Sequence, residues 1–263
     1  MMPDNNLPTY PSAESRRILD RVHIVLVEPQ NSGNVGMVCR AVKNMGLKSL
    51  RLVKGCRTDQ SDARRFAVSA RDVLDSAVRF ESLEEALADT AISVATTRRF
   101  GKYRQEIMDP VETVAKLRSR MGEGDVALVF GREDSGLTTD ELSLCRWQAT
   151  IPTSDEYGSM NLAQAVLIFC YELSRGLATG VPPVSRELAE TGEMEAMYRH
   201  MEETLLGIGF LDPLNPAHLM RTLRRIFSRA ELDSREVAVL RGMMSQVDWA
   251  ASAVAASKQS EGV

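Results

Sequence analysis

The chain has 263 residues, of which 44% are hydrophobic, 5% aromatic and 26% charged, with a formal net charge of −4. This is the profile of an ordinary soluble globular protein with enough apolar content for a large core in one or two domains, and it excludes a global basic field that would announce a nucleic-acid partner. Cys39, Cys56, Cys145 and Cys170 form no CxxC pair, and His23, His200 and His218 do not sit at ligand spacing, which argues against a disulfide framework or a metal site and for a reducing cytoplasm.

Residues 1–20 are polar and proline-bearing, lack the apolar centre of a signal peptide, and read as a flexible extension. No run in the chain approaches the ~18 apolar residues that span a bilayer, so no membrane partner is expected. VHIVLVE (22–28) has the β-branched content of a buried strand, and Asn34 precedes a helix with Val35, Val38, Val42 and Met45 on one stripe, ended by Gly46. LKSLRLV (47–53) is the next strand, SLEEALAD (82–89) a short helix and AISVATT (91–97) a strand. PVETVAKLRSRM (110–121) begins a helix at proline, DVALVFG (125–131) is a buried strand, TTDELSLC (138–145) a threonine-capped helix and ATIPT (149–153) a short strand. NLAQAVLIFCYELSRGL (161–177) is a strongly apolar helix. Alternating strands and helices predict a mostly parallel sheet with helices on both faces over residues 21–177.

Glycine, paired prolines and charges mark residues 178–193 as a linker. Residues 194–250 read as a small helical extension of three helices: one with Met197, Met201 and Leu205, one after Pro216 with Leu219, Leu223, Ile226 and Phe227, and one from Asp233 with a capping-box partner at Glu236. Residues 251–263 are read as a frayed tail.

Three segments combine glycine- or serine-rich loops with apolar runs, where an α/β protein places its chemistry. NSGNVGMVCR (31–40) is no dinucleotide fingerprint, and alone it also describes a turn and a helix with a surface arginine. GREDSGLT (131–138) follows a buried strand but lacks the GK[ST] of a phosphate loop, so Glu133 and Asp134 are either an acid–base pair or an acidic loop. In the third segment, Ser159 and Asn161 precede a helix, where they could bind a ligand's polar edge or simply cap it.

Taken together, Asn34 with Arg40, FGRE at 130–133 and Ser159-Met160-Asn161 resemble, in order, the motifs of the SPOUT class of RNA methyltransferases over residues 22–177. The resemblance implies a deep C-terminal trefoil knot, which chain-topology rules would not have suggested. Residues 207–249 are similar to the helical extension of the bacterial tRNA (cytidine/uridine-2′-O)-methyltransferases that act at position 32 of the anticodon loop. The RRFGKYRQ that follows Thr97 is more basic than that family's loop.

What the resemblance implies is a homodimer that uses S-adenosylmethionine, without metal, to methylate a ribose 2′-oxygen of tRNA. Its cofactor residues would be Thr96, Thr97, Arg98, Gly131, Ile151, Gly158, Ser159 and Met160. Its catalytic set would be Arg40, Asn34, Glu133, Ser159 and Asn161, with Asn34 holding Arg40 or the ribose and Glu133 anchoring Arg40 or its neighbours. Two basic clusters are expected to meet RNA: Arg99, Lys102 and Arg104 beside the cofactor loop, and Arg221, Arg224, Arg225 and Arg229, three of them at four-residue spacing on one helical face. Methylation at another tRNA position or of ribosomal RNA, and a non-catalytic RNA-binding module, are the competing readings.

Overall fold

A computed structural model of the chain describes residues 13–59, 61–98, 107–120, 123–154, 156, 158–177 and 187–260. It opens with helix α1 (Ala13–Leu19), where a flexible extension was expected, because Leu19 is fully buried and ties that segment to the core. Strand β1 (Val22–Val27) is buried at every position. It leads into α2 (Ser32–Asn44), which starts two residues before Asn34 because Asn31 is the cap, its side chain accepting from the Gly33 and Asn34 N–H groups. Gly46 closes the helix with φ +80°, as expected of a C-terminal glycine. After β2 (Ser49–Val53) come α3 (Ser61–Ala67), a 3₁₀ turn, α4 (Arg71–Asp75) and the short strand β3 (Val78–Phe80).

The central part continues with α5 (Leu83–Leu87), β4 (Thr90–Thr96), β5 (Ile107–Met108), α6 (Pro110–Arg118), β6 (Asp125–Phe130), α7 (Thr139–Leu144), β7 (Trp147–Ala149) and α8 (Leu162–Gly176). The expected strand at 149–153 runs instead over 147–149. It stops where its short edge neighbour β5 ends, Thr150 N–H donating to the Met108 carbonyl before Pro152 removes the next donor.

The strands form one sheet in the order β3-β2-β1-β6-β4-β7-β5, with every pairing parallel. Successive side chains of β1 point to opposite faces, so Ile24 and Leu26 enter a large core under α2 and α8 while Val25 and Val27 enter a smaller one under α5. At the lower end of β1, His23 is buried between the Ser49 hydroxyl at 2.7 Å and the Asp125 carboxylate at 3.1 Å.

The helical extension is α9 (Thr191–Gly207), α10 (Pro216–Ala230) and α11 (Ser234–Ser260). It departs from expectation at both ends. α9 starts inside the expected linker because Thr191 docks on the sheet domain, its hydroxyl donating to the Thr90 carbonyl at 2.8 Å while Gly192 N–H donates to the Ala88 carbonyl at 3.0 Å. α11 runs through the expected frayed tail because that segment is rich in alanine, the strongest helix former. Met197 and Met201 are buried in the core of the extension as expected, together with Val237 of α11, whereas Ile226 is exposed and Met220 takes the buried place on α10. Arg120 of the sheet domain bridges Glu123 and Glu231, a second tie between the two parts.

Candidate functional site

The three loops singled out from the sequence meet through side chains. Glu133, just beyond β6, accepts from the N–H of Gln30 at 2.8 Å, the N–H of Asn31 at 3.2 Å and Nδ2 of Asn34 at 3.0 Å. Asn34 Oδ1 in turn accepts from Nδ2 of Asn161 at 3.0 Å. The direction of each amide follows from the helix cap. Asn161 Oδ1 accepts from the N–H groups of Ala163 and Gln164 to cap α8, so its Nδ2 must face Asn34, and Asn34 must present Nδ2 to the carboxylate. The capping reading of Asn161 holds, and the other end of its amide is taken by Asn34.

Beside this trio lies a cavity of about 460 Å³ at the carboxyl ends of the adjacent strands β6, β4 and β7. Seven of the expected cofactor residues line it: Thr96, Thr97, Arg98, Ile151, Gly158, Ser159 and Met160. Glu133 and Leu137 line it too. Gly131 sits one residue behind the lining, and its role is close packing, since a Cβ there would fall 2.2 Å from the Gly136 carbonyl carbon and 2.4 Å from the Leu137 nitrogen. A Cβ at Gly158 would fall 2.4 Å from Nε of Arg98, so the bare backbone of Gly158 lets that guanidinium lie over the cavity edge. Gly136, at φ +69°, turns the loop back on itself, and its N–H and carbonyl pair with those of Arg132.

Sequence reasoning missed Arg132. It donates from Nε to Glu28 at 2.9 Å and from both terminal nitrogens to Glu141 at 2.9 and 3.0 Å, with a further bond to the Gly136 carbonyl. The hydrogen bonds from Glu141, then Glu28, push its pKa above the ordinary arginine value, so its charge is permanent. A signal was present: Glu141 is the fourth residue of a T-x-x-E capping box, directly after the glycine loop.

Arg40 is placed differently from expectation. It is exposed on α2, does not line the cavity, and makes no hydrogen bond or ion pair with the described residues. Glu133 bonds residues at the start of the same helix rather than Arg40 itself, accepting from the Gln30 and Asn31 N–H groups and the Asn34 amide. Arg224 turns away from solvent, doubly bonded to the buried Glu195 and stacked 4.4 Å from the Tyr198 ring centroid, so its charge is engaged within the protein rather than presented to RNA. Arg221, Arg225 and Arg229 follow one another at four-residue spacing along α10, with Arg221 3.5 Å from Asp140. Arg99, Lys102 and Arg104 lie outside the described residues.

The cavity suits a small ligand with a flat apolar body and a polar edge, since Leu137, Ile151 and Met160 line it beside Gly136 and Gly158, whose backbone is not covered by a side chain. Among the described residues no group of three His, Cys, Asp or Glu could hold a metal ion, and no helix is long and apolar enough to cross a membrane.

The model of the SpoU rRNA methylase family matches residues 21–171, and that of the tRNA methyltransferase TrmJ C-terminal domain matches residues 192–260. The tRNA (cytidine/uridine/adenosine-2′-O-)-methyltransferase TrmJ of Pseudomonas aeruginosa (strain UCBPP-PA14) is 39% identical over 242 residues, which cover 87% of this chain and 94% of that protein. The tRNA (cytidine/uridine-2′-O-)-methyltransferase TrmJ of Klebsiella pneumoniae is 39% identical over 88% of this chain and 98% of its own length. The crystal structure of TrmJ from Z. mobilis ZM4 superposes with a TM-score of 0.74 at 35% identity, covering 86% of this chain and 98% of that one.

Proposed function

The chain belongs to the SpoU rRNA methylase family, in the branch of the TrmJ tRNA 2′-O-methyltransferases, and from that premise we propose how its residues carry out the reaction and on which nucleotide. It is an RNA ribose 2′-O-methyltransferase that uses S-adenosylmethionine, and its substrate is tRNA. The target nucleoside is the cytidine or uridine at position 32 of the anticodon loop. The observation that carries the mechanism is the Glu133–Asn34–Asn161 trio, which locks three loops together at the edge of the cavity.

When bound, S-adenosylmethionine supplies a sulfonium methyl, already attached to a good leaving centre. The protein's tasks are alignment and easing loss of the proton from the 2′-hydroxyl. Backbone groups at 96–98, 151 and 158–160 would hold the adenosine, with Ile151 and Met160 offering apolar surface to the base, while Gly131 keeps the loop behind them closely packed. Arg40 is a poor base because its guanidinium stays charged. It orients the ribose and its phosphate and stabilises the developing oxyanion. Asn34, two helical turns before it on α2, sets the position of that helix through Glu133 and Asn161, while Ser159 shapes the exposed mouth of the cavity.

The enzyme works in the cytoplasm as a homodimer, a reading supported by the exposed Leu167 and Tyr171 on α8, the helix against which α2 packs. The trefoil knot that the family resemblance implies belongs to the same reading. Domain limits follow the ties described above: the sheet domain over 21–177 with α1 added, and the helical extension from Thr191.

Arg40→Ala is expected to abolish methyl transfer while calorimetry shows S-adenosylmethionine affinity unchanged; wild-type turnover would remove Arg40 from the mechanism. A position-resolved map of 2′-O-methylation, made on tRNA and ribosomal RNA incubated with the enzyme, separates position 32 from every other site.

A further inference from the structure

Helix α7 packs against α10, and a cleft opens on each side of the contact. The two clefts have opposite character. One is lined by six carboxylates: Glu28, Glu81, Glu84, Asp140, Glu141 and Glu202. The other, of about 560 Å³, has no carboxylate in its lining, and Arg221, Arg224 and Arg225 stand along its α10 wall. Arg221 and Arg224 border both clefts; Glu195 engages the Arg224 charge, so the positive side of the second cleft is carried by Arg225 and by Arg221, which is 3.5 Å from the exposed Asp140. Its opposite wall is apolar, formed by Ile107, Leu137, Leu142 and Cys145, with the Gln148 amide among them. Leu137 also lines the cofactor cavity, so the two share that residue in their walls.

In a chain of net charge −4, this segregation creates a local site for an anion with an apolar body. An unstacked nucleotide is such a group: its base has an apolar face and a polar edge, and its phosphate is negative. The volume falls within the roughly 300–1,000 Å³ common to sites for small ligands. We propose that this cavity receives one nucleotide of the tRNA, a neighbour of the one being methylated. The base lies on Leu137 and Leu142 with its edge toward Gln148, and Arg221 and Arg225 hold the phosphate. The inference rests on the tRNA methyltransferase reading and adds a subsite to it. It also gives the helical extension a role beyond adding charge, since the extension supplies one wall of a pocket whose other wall belongs to the sheet domain.

The test is steady-state methylation of an unmodified tRNA transcript at saturating S-adenosylmethionine. Thr222→Phe fills the cavity from α10 without removing a charge, and Ser228→Phe, also in the lining, replaces it if the first variant does not fold. Arg225→Ala removes the phosphate contact. Both kinds of variant are expected to raise KM for tRNA about tenfold, as loss of a charge-assisted hydrogen bond or its steric equivalent would. The kcat should stay within about twofold of wild type, as for a contact made equally in ground and transition states, and calorimetry should find donor affinity unchanged. The salt dependence of binding should weaken for Arg225→Ala and stay as in wild type for the filled variant. A filled variant with wild-type KM overturns the proposal, even where Arg225→Ala binds weakly, because a surface phosphate contact alone explains that pattern. If the wild type itself transfers no methyl to tRNA, the underlying function fails, and this is seen before any variant is compared.

Discussion

Removing the Glu133 carboxylate tests whether the three loops are held by hydrogen bonds or merely lie close. Glu133→Ala deletes acceptors at 2.8, 3.2 and 3.0 Å from the Gln30 N–H, the Asn31 N–H and Asn34 Nδ2. A hydrogen bond to a charged group contributes about 1.5–3 kcal/mol when buried. Glu133 is only half-buried, so water replaces part of each bond, and about 1 kcal/mol per bond, or about 3 kcal/mol in all, is the expected cost. The loss is local: the segment between β1 and α2 comes free of β6, and Asn34 loses the partner that orients it toward Asn161. Misplacing reacting groups by about 1 Å lowers rate by on the order of 100-fold, so methyl transfer should fall by that factor. Glu133→Gln keeps one acceptor but turns an NH₂ toward a donor, and should fall between wild type and alanine. Hydrogen exchange at the Gln30 and Asn31 amides reads the loops directly, urea unfolding reads the total and single-turnover methylation reads the consequence. If both amides stay protected in Glu133→Ala and the unfolding midpoint is unchanged, the hydrogen-bonded trio does not hold the site together.

Gly131→Ala should weaken S-adenosylmethionine binding at least tenfold by calorimetry, because the added Cβ meets backbone at 2.2 Å, whereas Gly242→Ala, with nothing within 4 Å on α11, should raise stability by about 0.5–1 kcal/mol. Burial and the Arg51 guanidinium hold the His23 imidazole below its ordinary 6.5, against the opposing pull of Asp125. Its contribution to stability is therefore fully present above that value and is lost as pH falls below it, so the urea midpoint should drop more steeply from about pH 7 to 5 in wild type than in His23→Gln. Arg224→Ala leaves the buried Glu195 carboxylate without its partner and should cost about 3–5 kcal/mol in thermal or urea unfolding, far more than Arg229→Ala at an exposed position on the same helix.

The sheet was legible because its central strands are buried on both faces and so are written as near-continuous apolar runs, VHIVLV and DVALVF among them. The short elements between β2 and α5 were not. β3 is a three-residue edge strand with Val78 and Arg79 exposed, so nothing imposes a hydrophobic pattern on it. α3 is announced only indirectly, by Gly36, where a Cβ would fall 2.3 Å from the Ala63 carbonyl oxygen; that glycine serves the approach of two helices rather than a ligand. At the site, the trio's members could be found by motif because each sits at the edge of a regular element: Asn34 in the first turn of α2, Glu133 just after β6 and Asn161 at the cap of α8. The direction of their bonds could not, since the resemblance leaves Asn34 to hold Arg40 or the ribose and Glu133 to anchor Arg40 or its neighbours, and only coordinates reveal that the two bond each other. Arg224 shows the limit of helical spacing as evidence, because spacing identifies a face without telling whether that face meets solvent or a buried carboxylate.

The fixed polarity of the Glu133–Asn34–Asn161 chain restricts how this site can change over evolutionary time. The middle residue must donate to a carboxylate on one side and accept from an amide on the other. Aspartate at 34 would set two carboxylates against each other, lysine could not accept, and alanine would break both links. A substitution at any of the three therefore alters what is tolerated at the other two, although they lie 99 and 127 positions apart in sequence. Three motifs that look independent along the chain are inherited as one.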